Sequence, residues 1–421
     1  MDYSYLSSDY KIRFHIERVK HLLEYGYSYP SHFTIGLVTY CDQCCKSCYA
    51  GAYRYNKDIM VTMSLDIIKK ILHEASMFGS QYHNHEYYSK DTLGLKAVTF
   101  VGSGEPLLYP YITELLHYVN ENLNLDIGIY TNGNNLRDNW HRYGIDDDDV
   151  KADIQTAILN NCRFVRISLD AATPQTHFKT RGVENQFDSI IKNIRQMVMK
   201  RKGQFPTLGI QFTVDHNNYK EIIQIAMLAK DIGVDYLSFK PKYLPWNNKG
   251  NFYDLITFEQ ISDDLEKAIS YSDNHTTIHG KVDQFMVAWG KTRYQTSSSS
   301  YKCHSVWLSS YLDIDVNSRD KNSAEPKIFL CVNKNKEDMH SNGSLRWSSS
   351  SINIDTNLKY FWEKEMEILC NRININDCIS GCRNQPYNNA INKIASLGID
   401  KIDESKEDFK NAPKDIHPGH I

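Results

Sequence analysis

The alternation of strand-like and helix-like runs predicts an α/β protein built on a mostly parallel sheet. Six short runs rich in β-branched and aromatic residues, at 32–38, 96–101, 125–130, 163–169, 207–214 and 235–240, are separated by stretches with helical spacing. Strands that alternate with helices pair in parallel, because each right-handed crossover brings the chain back to the same edge. The unusual residues also fall just after strand-like runs: a cysteine loop after the first, a glycine turn after the second, Thr131 and Asn132 after the third, and Ser168 and Asp170 closing the fourth. A parallel sheet gathers those ends along one edge, the edge that carries the active site in α/β barrels.

Taken in order, residues 1–30 form a helical lead-in, with Ile16, Val19, Leu22 and Leu23 near helical spacing and a turn around Pro30. Ser64 is placed to cap a helix whose apolar positions are Ile67, Ile68, Ile71, Leu72 and Ala75. The polar stretch 79–92 reads as a solvated loop, its His83 and His85 included. Helices fit at about 110–122, 149–160, 186–201 and 218–232; the third carries Phe187, Ile190, Ile191, Ile194, Met197 and Val198 on one stripe. The acidic run 146–149 reads as a solvated turn and helix start. Beyond about 257 the alternation fades, and 295–300 is a low-complexity linker. Hairpin-like runs follow at 307–316 and 327–331, and the last twenty residues are polar enough to be disordered.

The bulk numbers narrow the function classes. The chain has 421 residues, 41% of them apolar, enough for one large domain with an appendage or for two or three smaller ones. A net charge of −3 and no basic, aromatic-interleaved segment argue against a nucleic-acid partner. The N-terminus lacks the apolar core of a signal peptide, and no run reaches the roughly 18 apolar residues of a membrane span. A cytoplasmic location without a membrane partner is expected. Ten cysteines in a reducing compartment suggest metal ligation before disulfides.

Four cysteines fall within eight residues, and Cys41, Cys45 and Cys48 among them read C-x3-C-x2-C. Thiolates on one short loop can converge on a metal, whereas disulfides between such close neighbours would be strained. A [4Fe–4S] cube takes four cysteines when its ligands are all thiolates. Three leave one iron open to a further ligand. Gly102 and Gly104, with no side chain, let backbone carbonyls approach a ligand, and such carbonyls accept from an ammonium group.

Cys41, Cys45 and Cys48, followed by Gly102, Ser103, Gly104, Glu105 and Pro106 after the next strand and Thr131, Asn132 and Gly133 after the third, resemble the radical S-adenosylmethionine (SAM) enzymes. The resemblance covers about 30–245 and implies a partial (β/α)6 TIM-like barrel over 31–256. It implies that Cys41, Cys45 and Cys48 hold a [4Fe–4S] cluster whose open iron binds SAM, and that one electron cleaves SAM to a 5′-deoxyadenosyl radical. Ser168 and Arg181 match positions that contact the SAM carboxylate, a task that suits a guanidinium. Gly102, Ser103, Gly104 and Glu105 match the turn that holds its amino group. Thr131 and Asn132 line the pocket, and Asp170 orients the site or is structural. Two positions depart from the pattern. Ser47 stands where the family often has an aromatic residue and Tyr49 follows it, while Cys44 adjoins the motif as a bystander.

After a connecting helix and linker at 257–300, the cysteines of 301–395 resemble the SPASM/twitch extensions of the same superfamily, with 396–421 a polar tail. Cys303, Cys331, Cys378 and Cys382 suffice for one auxiliary [4Fe–4S] cluster; a structural zinc on the same four is the alternative. Cys370 is a spare thiol, a candidate hydrogen donor if the reaction is an epimerisation, and Cys162 is a core thiol. The substrate implied is a ribosomally made peptide, crosslinked or epimerised, or else a small metabolite such as an aminosugar alcohol. The electron source implied is a reductant such as flavodoxin or ferredoxin. A non-catalytic iron–sulfur or zinc protein is the reading from another class.

Overall fold

The computed structural model of the chain describes residues 8–45, 48, 60–137, 153–242, 256–289, 303–314, 320–324, 326–329, 349–351, 357–371, 373, 384–396, 417 and 420. Six strands correspond to the six strand-like runs: β1 (His32–Gly36), β2 (Ala97–Val101), β3 (Asp126–Thr131), β4 (Phe164–Ser168), β5 (Thr207–Val214) and β6 (Tyr236–Pro241). They pair in sequence order, every pair parallel. A short strand that the pattern does not reveal, β7 (Thr277–His279), adds to β6, also in parallel. Three residues are too few to show a period of two.

The C-terminal part continues the same sheet. β8 (Ser309–Ile314) and β9 (Pro326–Phe329) form the expected antiparallel hairpin, and β10 (Ser349–Ser351) extends it. β8 docks on the free edge of β1, in parallel, with His32 opposite Ser309 and Ile35 opposite Leu312. The order is β10-β9-β8-β1-β2-β3-β4-β5-β6-β7. Most of the sheet is parallel, with the helices outside it, which is the α/β architecture expected.

The two faces of the sheet divide the chemistry. Phe33, Ile35, Val98, Phe100, Ile129, Val165, Ile167, Ile210, Phe212 and Leu237 face the helices and are 0% exposed. The helix Phe187–Lys200 buries Phe187, Ile190, Ile194 and Met197 there, the stripe read from sequence. The helix Leu65–Ser76 starts at Ser64, whose hydroxyl accepts from Ile67 N. The opposite face is polar and aromatic: on it Arg166 donates to the hydroxyls of Tyr236 and Tyr130, both at 3.0 Å.

The helix Ile16–Tyr25 packs through Ile16 and Val19 against Ala390, Ile391 and Ile394 of the helix Gln385–Ser396. Two residues of the polar tail, His417 and His420, are described, and both are buried. His417 Nε2 lies 3.0 Å from Thr207 Oγ1 and its ring stacks on Phe164, while His420 Nδ1 lies 2.9 Å from Thr99 Oγ1. Thr207 and Phe164 open β5 and β4, so these two histidines lie on the sheet's inner face toward the edge opposite the cysteine loop.

Candidate active site

The Gly102–Glu105 turn follows β2 and lies against the start of the cysteine loop. A Cβ on Gly104 would stand 2.0 Å from the Tyr40 carbonyl oxygen, and one on Gly102 would run into Gly104 itself. Both glycines are therefore required by how tightly the turn packs on the protein. Glu105 N donates to Tyr40 O at 2.9 Å. The Glu105 side chain points the other way and ties the turn to the end of β3. It accepts from Thr131 Oγ1 at 2.6 Å, Asn132 N at 2.8 Å and Leu107 N at 3.1 Å. Burial, and next the charge of Asp42, push its carboxyl up to about 8, against the pull of those hydrogen bonds.

Asp42, which sequence reasoning passed over, holds the cysteine loop. Its carboxylate accepts from the side-chain amides of Asn132, Asn134 and Asn135 at 2.6, 2.7 and 2.9 Å. The amides sit in position because Asn193 donates to the carbonyls of Gly133 and Asn134. Asn132 Nδ2 also lies 3.8 Å from Cys41 Sγ, and Gln43 N lies 3.4 Å from the same sulfur. A run of asparagines after a strand was the available signal, and an aspartate directly after a motif cysteine was its partner.

Arg181 closes the site from the other side. It ends the helix Pro174–Arg181, and its carbonyl accepts from Cys44 N at 2.9 Å. One guanidinium nitrogen pairs with Asp170 at 2.7 Å and also donates to Ser168 O; another lies 3.5 Å from Cys45 Sγ. Asp170 in turn accepts from Thr213 N at 2.6 Å, its own backbone in the left-handed region at φ 53°. Burial raises the Asp170 carboxyl and Arg181 opposes that rise. Asp170 thus fixes the arginine, while Ser168 contributes its carbonyl to it.

Three of the thiols, Cys41, Cys45 and Cys48, share this one loop, with Cys48 N donating to Cys45 O at 3.1 Å. All are half-buried and free of disulfides. Among the described residues no three His, Cys, Asp or Glu side chains stand close enough to share a single ion. An iron–sulfur cube takes its thiolates at separate corners, so its ligands stand wider apart than those of one ion. The donor set fits it: three soft thiols on one loop, two of them beside N–H groups that would stabilise a thiolate. Of the C-terminal cysteines, Cys331, Cys378 and Cys382 lie outside the described residues. Cys303 accepts from Asn388 Nδ2 at 3.4 Å. Burial, and next the charge of Cys303, push the Cys370 thiol up. Burial alone pushes Cys162 up, as a core thiol requires.

Of a second group, only Ser168 was read from sequence. Ser168, Gln211, Ser238 and His279 stand at one register across β4–β7. They lie on the inner face, two residues beyond Arg166 and Tyr236, and the Tyr236 and His279 rings are 6.1 Å apart. Gln211 Oε1 and Ser238 Oγ are buried and make no hydrogen bond among the described residues. Unsatisfied buried polar atoms on the sheet's inner face mark a place for a ligand or water.

The sheet is mostly parallel, with the thiols on its first loop and the glycine turn on its second, both after the C-terminal ends of its strands. Particular solved structures share this fold. Streptococcus suis SuiB bound to S-adenosylmethionine superposes with a TM-score of 0.54 at 16% identity, over 83% of this chain and 69% of that one. SuiB bound to precursor peptide SuiA gives 0.53 at 17% identity, over 83% and 68%. Native anSMEcpe with bound AdoMet gives 0.50 at 14% identity, over 89% and 99%. The likeness is one of fold. No family model matches the chain, and no curated protein matches it in sequence.

Proposed function

We propose that the chain is a radical SAM iron–sulfur oxidoreductase that modifies a ribosomally made peptide, by crosslinking or epimerisation. The observation that carries this reading is the bracing of the thiol loop. Asp42 with its three asparagines, and Arg181 beside Cys45, hold the segment that carries Cys41, Cys45 and Cys48 at the C-terminal edge of the sheet. A [4Fe–4S] cluster on those thiols would give SAM one electron and yield a 5′-deoxyadenosyl radical. The protein's own part is positional. Gly102 and Gly104 leave two positions of the turn without a side chain, Glu105 locks it to β3, and Arg181 sets a fixed positive charge beside the loop. Ser168, Gln211, Ser238 and His279 face the space that a substrate would enter.

The peptide as substrate is supported by the fold shared with SuiB, which has been crystallised with its precursor peptide. Cys303, Cys331, Cys378 and Cys382 are proposed to hold an auxiliary [4Fe–4S] cluster that takes an electron from the substrate radical, with a flavodoxin- or ferredoxin-like protein as the reductant. Cys370 is the candidate hydrogen donor for epimerisation. Among the described residues no helix is long and apolar enough to cross a membrane.

Anaerobic reconstitution should load about eight irons per chain, or about four if only the first three cysteines hold a cluster. Reduced protein with SAM should release 5′-deoxyadenosine, and Cys45→Ala should abolish it. Absence of that product from reduced, iron-loaded wild type defeats the reading. A candidate peptide should emerge crosslinked or with an inverted stereocentre.

A further inference from the structure

We propose that Asp313, carried to the site by the C-terminal part of the chain, positions the turn that receives the amino-acid end of SAM. The inference rests on the functional reading above and adds a residue from outside the first six strands. Asp313 lies on β8, one residue past Leu312, which pairs with Ile35 of β1. It is 2% exposed. One carboxylate oxygen accepts the Ser103 hydroxyl in a short hydrogen bond, and the other accepts Ile314 N at 2.9 Å.

Gly36, the last residue of β1, makes room for it: a Cβ there would stand 2.4 Å from Asp313 Oδ1. The chain therefore admits a carboxylate between the strand that leads into the cysteine loop and the turn after β2.

The reason to assign it a positioning task lies in the turn. Gly102 and Gly104 flank Ser103 and leave the backbone little preference of its own. The second half is tied down through Glu105, to Tyr40 O and to Thr131 and Asn132. In the first half the Ser103 side chain is an anchor and Asp313 its acceptor. Fixing that hydroxyl fixes the peptide units on both sides, whose carbonyls would face a ligand's ammonium.

Asp313 also brings a carboxyl group. Burial disfavours its ionised form, and a cation nearby would offset that; SAM brings an α-ammonium and a sulfonium. The ligand chemistry assigned is thus a cationic α-amino acid headgroup.

The test uses cluster-loaded enzyme and SAM itself. Dissociation constants are measured by equilibrium dialysis, and the change in the reduced cluster's EPR signal on SAM addition is recorded, with iron content and melting temperature for each variant. Asp313→Ala should weaken SAM binding about tenfold while iron content stays at the wild-type level. Asp313→Asn keeps one of the two acceptor oxygens and turns the other into a donor, so it should lie between Ala and wild type. The Ser103→Ala, Asp313→Ala double variant should bind SAM no worse than Asp313→Ala, since both remove one contact.

SAM affinity unchanged in Asp313→Asn and Ser103→Ala, or single effects that multiply in the double variant, overturns the inference. Should Asp313→Ala fail to fold, those two variants still decide it. Wild type that binds no SAM defeats the functional reading instead, so the two failures are distinguishable.

Discussion

Replacing Asp42 by alanine should release the thiol loop before it affects anything else. Asp42 accepts three side-chain N–H groups, at 2.6, 2.7 and 2.9 Å. Hydrogen bonds to a charged acceptor are each worth about 1.5–3 kcal/mol net. The residue is half-buried and the three bonds share one acceptor, so they do not sum. Asn135, by contrast, is 0% exposed, and its amide would be left without this acceptor. The net loss is about 3 kcal/mol, which is about a hundredfold in cluster affinity if it falls on the loop. Asp42→Asn turns one oxygen into a donor facing donors and should cost about half as much. The assay is anaerobic reconstitution followed by a timed challenge with an iron chelator, read as iron retained per chain. The sheet should melt within a few degrees of wild type, because no strand residue has been changed. Iron retention equal to wild type in Asp42→Ala would refute the bracing argument, and with it the observation on which the functional reading stands.

Two further outcomes follow from buried groups. Burial, then the nearby positive charges, hold His417 and His420 well below the ordinary imidazole value, so they are neutral in the folded chain. An unfolded histidine takes up a proton below about 6.5, so the stability they contribute is present above that pH and lost as pH falls. The urea midpoint should drop between pH 7.5 and 5.5, and less so in His417→Gln, His420→Gln; equal slopes would show that the tail does not titrate on unfolding. Ser238→Ala should stabilise the ligand-free chain by about 1 kcal/mol, because it removes a buried hydroxyl that makes no hydrogen bond among the described residues. A loss of stability instead would mean that Oγ is satisfied by water.

Much of the frame can be read without coordinates, because its signals are local. Strand-like runs, the stripe on the helix Phe187–Lys200, the Ser64 cap and the C-x3-C-x2-C spacing each fit within a window of a few residues. The parallel order then follows from the alternation, and with it the edge on which Cys41 to Cys48, Gly102 to Glu105 and Thr131 to Asn132 come together. The roles within that edge do not follow. Sequence spacing makes Gly104 a place for a ligand, whereas the fold shows that the Tyr40 backbone already requires it. Asp42 has no visible purpose until Asn132, Asn134 and Asn135, some ninety residues on, are brought to it. Asp313 and Ser103 are 210 residues apart, and His420 and Thr99 are 321 apart. Neither pair has a local signature, because a side chain's partner in a β-sheet is set by strand order and register, which depend on the whole chain. The sequence alone determined the α/β frame and the thiol loop at its edge. Which side chains hold that loop was decided by the packing that brings the asparagines after β3 and Arg181 to it, and that the C-terminal strands join the same sheet by β8 docking on the open edge of β1.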